Sequence, residues 1–187
     1  MDYQKFYKEL FAPLAATLGP IDTNSIVAII GFDLGGPLNF STFGRDSNRN
    51  PITYVSCELA VRQEQQPNAF GRYELLASCD SEDWVRSILT DTGRMTLDNV
   101  FNADETMDIG GWVNEGWFKR KPPIQGLLFQ KECSVMINGQ PYGVLRCIGI
   151  TRREMEYAQS TGSPALVSRL KEAGVYPHTI TSRKSVI

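Results

Sequence analysis

Apolar residues recur every fourth position at the start of the chain, at Phe6, Leu10, Leu14 and Leu18, which lines one face of a helix over residues 2–18. Pro13 brings no amide hydrogen to that helix, so a bend or a split is expected near Ala12. SIVAIIGFD, residues 25–33, is instead almost continuously apolar, the pattern of a strand buried on both faces. NPITYVSCELAV and GRYELLASCD give two more strands, joined by RQEQQPNAF, which carries no hydrophobic period. In CDSEDWVRSILTDTG, Asp80 or Ser81 caps a helix whose apolar side holds Trp84, Val85, Ile88 and Leu89, and Gly93 is placed as a left-handed stop. From Met95 to Pro123, Gly110, Gly111, Gly116, Pro122 and Pro123 interrupt any period, and the stretch reads as a long loop of the kind that often carries function.

The clearest local signal is CSVMINGQPYGVLRCIGI, where Asn138-Gly139 separates two apolar runs. Both central positions of a type I′ turn require positive φ, which Asn and Gly tolerate, so a hairpin is predicted here. TRRE follows directly and has the form of a capping box, with Thr151 and Glu154 bonding each other's amides. Glu154 is therefore assigned to helix initiation and not to acid catalysis. Ser163-Pro164 starts a second helix by the same logic, with Leu166, Val167 and Leu170 buried and Gly174 ending it. Arg152, Arg153, Arg169, Lys171 and Glu172 fall on the solvent side. These elements predict an α+β fold, a mixed α/β sandwich, in which a central, mostly antiparallel sheet is flanked by an N-terminal helix, a middle helix and two C-terminal helices. At 187 residues, one domain spanning 1–187 is expected.

Charge narrows the partners. The formal net charge is −2, and the 19 Lys and Arg are scattered along the chain, so the basic footprint of a nucleic-acid binder is missing. No run of 18 apolar residues and no basic leader with an apolar core occurs, which suggests a cytoplasmic protein with no membrane partner. Cys57, Cys79, Cys133 and Cys147 are widely and irregularly spaced, and read as reduced thiols packed like small apolar residues, not as a zinc site built from close pairs. His178 is the single histidine, too few for a histidine-based metal site, and no GxSxG-like nucleophile motif accompanies it. GFDLGG, residues 31–36, matches neither phosphate-loop spacing and is read as a turn. Asn39 heads an NFS acceptor triplet, which a cytoplasmic chain would leave unmodified. No cofactor is called for.

One cluster remains. Asp104, Glu105, Asp108 and Glu115 are interleaved with Trp112 and Trp117. The spacing fits no EF-hand, whereas tryptophans ringed by carboxylates suit a hot spot for a basic protein partner. The competing use is acid/base work in a small hydrolase, through the acidic loop 104–115 or with Cys57 as nucleophile.

GITRREMEYAQSTGSPALVSRLKEAGVYP, reached from a strand and followed by SRKSV, resembles the closing segment of the Suppressor of fused-like family, in which an I-T-x-x-E-x-x-x-A helix precedes a G-x-x-x-L-x-x-x-L helix. NPITYVSCELAV is similar to the family's T-x-x-S-x-E-L strand, and YELL, DWV and GRMTLDNVF stand in a similar order, so the likeness runs from about residue 50 onward. It implies a protein-binding module, not an enzyme. Eukaryotic relatives hold a transcription factor by adding its extended segment as a strand between two lobes, and compact bacterial relatives look like immunity proteins that neutralise toxins. A single-domain bacterial member would then bind a toxin domain or an extended peptide segment. No binding residue is carried over from the family, since the chain is too short for a second lobe.

Overall fold

The computed structural model describes residues 2–114 and 123–187. Among the described residues seven strands make one sheet: β1 (Phe40–Phe43), β2 (Ile52–Ser56), β3 (Arg72–Cys79), β4 (Thr106–Asp108), β5 (Ile124–Ile137), β6 (Gln140–Thr151) and β7 (His178–Thr179). The order across the sheet is β1-β2-β3-β6-β5-β4, with β7 paired to the end of β3. Neighbours are antiparallel except β3–β6 and β3–β7. The helices are α1 (Tyr3–Leu18), α2 (Glu82–Met95), α3 (Gly110–Asn114), α4 (Arg152–Thr161) and α5 (Ser163–Glu172). This is the expected α+β architecture.

β5 and β6 are the two longest strands, joined by a two-residue turn with φ of 50° at Asn138 and 77° at Gly139, so that Ile137 pairs with Gln140. Strand alternation then sorts the side chains. Tyr73, Leu75, Ala77 and Cys79 of β3 pack with Trp84, Val85, Ile88 and Leu89 of α2. On the opposite face, Leu76, Tyr142 and Val144 meet Phe6, Leu10, Phe11 and Leu14 of α1, while Leu128, Ile148 and Ile150 meet Met155 and Ala158 of α4 and Leu166 and Leu170 of α5. Between these two apolar patches β6 places Arg146, only 4% exposed. Its guanidinium donates from Nε to Glu132 and from NH1 to Ser78 Oγ at 3.1 Å, and Ser78 bonds Thr53 at 2.7 Å.

Several local expectations change. α1 stays helical across Pro13, because Phe11 and Leu14 are both locked in the core (1% exposed each) and tertiary packing outweighs the one hydrogen bond the proline removes. Gly93 lies inside α2 and does not end it. A Cβ there would sit 2.8 Å from Leu38 Cδ1 and 3.3 Å from Leu59 Cδ1, so glycine permits the close approach. The 95–123 stretch is not all loop, since it contains β4 and α3. Gly162, not Ser163, caps α5, and the Ser163 hydroxyl donates to the Asp104 carbonyl at 2.6 Å. The largest departure is SIVAIIGFD. Only Ile26 pairs, in an isolated bridge to Phe40, and a short 3₁₀ turn covers Phe32–Leu34. Val27, Ile29, Ile30 and Leu34 stand in solvent at 72%, 103%, 56% and 82% exposure.

The capping box at the start of α4 forms as expected: Thr151 Oγ1 accepts the Glu154 amide at 3.3 Å and Glu154 Oε2 accepts the Thr151 amide at 2.8 Å. Glu154 does more than cap. It is fully buried, and Arg183 binds both of its oxygens while also donating to the Gly149 carbonyl at 3.0 Å. The Val186 amide adds a bond at 2.9 Å. Burial alone would raise this carboxyl, yet the Arg183 hydrogen bonds and charge outweigh it and hold the group below its ordinary range. The C-terminal segment is therefore pinned to the end of β6 by one enclosed ion pair. Replacing Arg183 by Ala leaves a buried carboxylate without its counter-charge and is expected to lower the unfolding free energy by about 3–5 kcal/mol in urea melts. A loss under about 1 kcal/mol would show that the pair contributes no more than a surface bridge.

Candidate functional site at the outer sheet edge

β4 closes one edge of the sheet, and Asp104, Glu105 and Asp108 sit on it or beside it. Asp104 adopts φ of 68°, its amide donates to the Phe129 carbonyl at 2.8 Å, and the Phe129 amide donates to the Glu105 carbonyl at 2.9 Å. The pairing thus runs on past the strand proper, through Thr106–Leu128, Met107–Leu127 and Asp108–Gly126, to the Ile109 amide on the Gln125 carbonyl. Residues 105, 107 and 109 turn their backbone groups toward β5, so by strand alternation Thr106 and Asp108 turn theirs outward. Among the described residues no strand pairs with that outer side.

The side chains have local work as well. Asp104 accepts from Gln130 Nε2 at 2.7 Å, and Glu105 accepts from the amide and the side chain of Asn102 at 2.9 and 3.1 Å. Asp108 Oδ1 accepts the Gly110 amide at 2.7 Å, where α3 begins, and Oδ2 bonds Arg152 of α4 at 2.9 Å. The Gly110 amide first, and then Arg152, hold this carboxyl below the usual range. Trp112 is half-buried and folds back against the α2 side of the core, beside the buried Ile109 and Val113. Glu115 and Trp117 lie outside the described residues. What the segment presents outward is a strand edge flanked by three carboxylates, all exposed, which suits an extended, basic chain.

Groups with chemical potential elsewhere are placed differently. The thiols are free, and burial pushes all four up, Cys57 and Cys79 to about 12 and Cys133 to about 11, away from the thiolate that nucleophilic attack needs. His178 lies in β7 beside Ser78. Burial, then the nearby Arg146, lowers its pKa. Among the described residues no group of three His, Cys, Asp or Glu is arranged to hold a metal. Two clefts, of about 610 and 540 Å³, are lined by α2 with Gly35 and Pro37 and by α1 with Ile21 and Ser41. Neither includes Asp104, Asp108 or a cysteine.

A carboxyl that sequence patterning missed is Glu74, in the middle of β3 and 0% exposed. It accepts from Tyr7 of α1 at 2.9 Å, from Ser56 Oγ, and from the amides of Glu58 and Ala60 at 3.1 and 2.9 Å. Its signal was available in RYELLASC, where Glu74 shares the face of Leu76.

The family model for Suppressor of fused protein (SUFU) matches residues 35–184. The chain belongs to the suppressor of fused family. Its match takes in the strands and helices α2 to α5 and leaves α1 and the 27–34 loop outside. Among solved structures, this SUFU-family chain superposes on a chain of the Sufu–Fu complex with TM-score 0.70 at 15% identity, covering 98% of itself and 91% of that chain. Drosophila Suppressor of Fused gives 0.65 at 15% identity, with 92% and 48% covered, so the chain corresponds to about half of that protein. The SUFU homologue from Neisseria gonorrhoeae FA 1090 gives 0.64 at 13% identity, with 98% of both chains covered. No curated protein shows a significant sequence match.

In this SUFU fold Glu74 is a pH-sensitive tie between α1 and the sheet. Burial raises it to about 7, against the opposing pull of its donors. A carboxyl with a raised folded pKa keeps its proton more tightly in the folded state, so its stabilisation is complete below its ordinary value and is lost as pH rises to about 7. The unfolding free energy of the wild type, less that of Glu74→Gln, is expected to fall by roughly 3 kcal/mol between pH 4.5 and pH 8. A flat difference would place Glu74 in a solvated setting.

Proposed function

We propose that this chain is a non-enzymatic protein-binding module that takes an extended, basic segment of a partner along the outer edge of β4. The observation that carries the reading is the coincidence of an open strand edge with Asp104, Glu105 and Asp108. Backbone hydrogen bonds to the outward groups of Thr106 and Asp108 supply affinity, and the carboxylates with the half-buried Trp112 select the sequence. Glu115 and Trp117, outside the described residues, are assigned the same role on sequence alone. Family membership supports it, since a structure of the family is that of a complex between Sufu and Fu, and the raised thiol pKa values speak against thiolate catalysis. For a compact, cytoplasmic bacterial member the partner is a toxin domain, which the chain neutralises as an immunity-type protein. Among the described residues no helix is long and apolar enough to cross a membrane.

Affinity purification from the native cell should recover one protein in stoichiometric amount. Thr106→Pro removes an outward amide while sparing the bonds to β5, so it should weaken that complex at least about tenfold, a loss of roughly 1.4 kcal/mol, with the melting temperature little changed. Asp104→Lys should slow association most at low salt. Undiminished binding by the Thr106→Pro protein would remove β4 as the docking edge.

A further inference from the structure

The three carboxylates of the β4 edge are not equivalent. Asp104 accepts from Gln130 and Glu105 from Asn102, both neutral donors, so each keeps its charge toward solvent. Among the described residues neither has a Lys or Arg within ion-pair distance. Asp108 is already neutralised. Its Oδ2 accepts from Arg152 NH2 at 2.9 Å and its Oδ1 from the Gly110 amide at 2.7 Å. Arg152 is steadied from β5, since its Nε donates to Gln125 at 3.2 Å. The corner is closely fitted: a Cβ on Gly110 would lie 2.9 Å from Asp108 Oδ1 and 3.0 Å from Arg152 NH2. Arg153, exposed and next in the chain, adds a second positive charge at the start of α4.

Position along the strand turns this difference into a pattern. Asp104 and Glu105 stand opposite Phe129, and Asp108 stands opposite Gly126, a separation of roughly 10 Å. That exceeds the screening length of about 8 Å in physiological salt, so a bound side chain responds to the end beside it. A cation passing Asp104 and Glu105 meets two uncompensated negative charges. A cation passing Asp108 must approach a guanidinium and compete with it for one carboxylate. We propose that Arg152 is a specificity-determining residue that closes the Asp108 end of the edge to basic side chains, so that the partner segment is basic where it passes Asp104 and Glu105 and neutral or acidic where it passes Asp108. This deepens the β4 reading and rests on it. Because Arg152 and Asp108 are both about half exposed, at 48% and 50%, the discrimination is a matter of a few-fold in affinity.

Two Thr-rich peptides of about ten residues, titrated calorimetrically into the full chain, test it. One carries a pair of lysines at one end, and the other carries a pair at each end. The wild type should bind the second peptide no more than about twofold tighter, the most that two possible directions of binding supply. Arg152→Gln frees Asp108, and its preference for the second peptide should exceed that of the wild type by at least about threefold. Adding Asp108→Asn should abolish this gain. Gly110→Ala crowds Arg152 off Asp108 without changing net charge, and should shift the preference in the same direction with an unchanged circular dichroism spectrum. A gain that survives Asp108→Asn overturns the proposal. So does a preference unchanged in both Arg152→Gln and Gly110→Ala while Thr106→Pro weakens binding of both peptides, a result that leaves the β4 edge standing. Binding that Thr106→Pro leaves undiminished, or no binding at all, removes the edge and this inference with it.

Discussion

The register of the β5–β6 hairpin is the constraint on which the other elements depend. A two-residue turn with positive φ at Asn138 and Gly139 leaves no freedom to slide, and a slip of one residue would exchange every inward side chain for an outward one. With Ile137 opposite Gln140, one face of β6 carries Tyr142, Val144, Arg146, Ile148 and Ile150, and the other carries Leu145 and Cys147. The first face receives α1 at one end and α4 with α5 at the other. The second receives α2. Because β6 also pairs in parallel with β3, the same register aligns Glu74 beneath α1 and Ser78 beside Arg146.

Buried charge is concentrated where separate parts of the chain must meet. Glu74 joins α1, β2 and β3. Arg146 lies between two apolar clusters, and Glu154 joins the end of β6, the start of α4 and the C-terminal tail. Each lies where a hydrophobic contact could have slid, and an enclosed charge accepts only the geometry that supplies its partners. Such groups contribute less to net stability than to the uniqueness of the arrangement, since an apolar substitute of the same shape is often as stable.

Local chemistry was legible in the sequence wherever a few neighbouring residues decide the outcome. Asn138-Gly139, Thr151 with Glu154, and the stripe Trp84, Val85, Ile88 and Leu89 all adopt the expected forms. The failures have a common origin in tertiary context. SIVAIIGFD has the composition of a buried strand, but only Phe32 is buried, against two arginines distant in sequence, Ile26 leans on the core, and Val27, Ile29 and Ile30 are left outside. Gly93 looks like a stop until Leu38 and Leu59 are placed against it. At the acidic segment, the residue types pointed to binding. The sequence did not reveal that Asp108 would be held at the head of α3 and by Arg152, that Trp112 would lean on the core, or that a three-residue strand would expose its edge.

The strand order sets the two uncommitted surfaces apart. β1 and β4 are the opposite edges of the sheet, so the apolar loop and the acidic strand edge do not compete for the same ground.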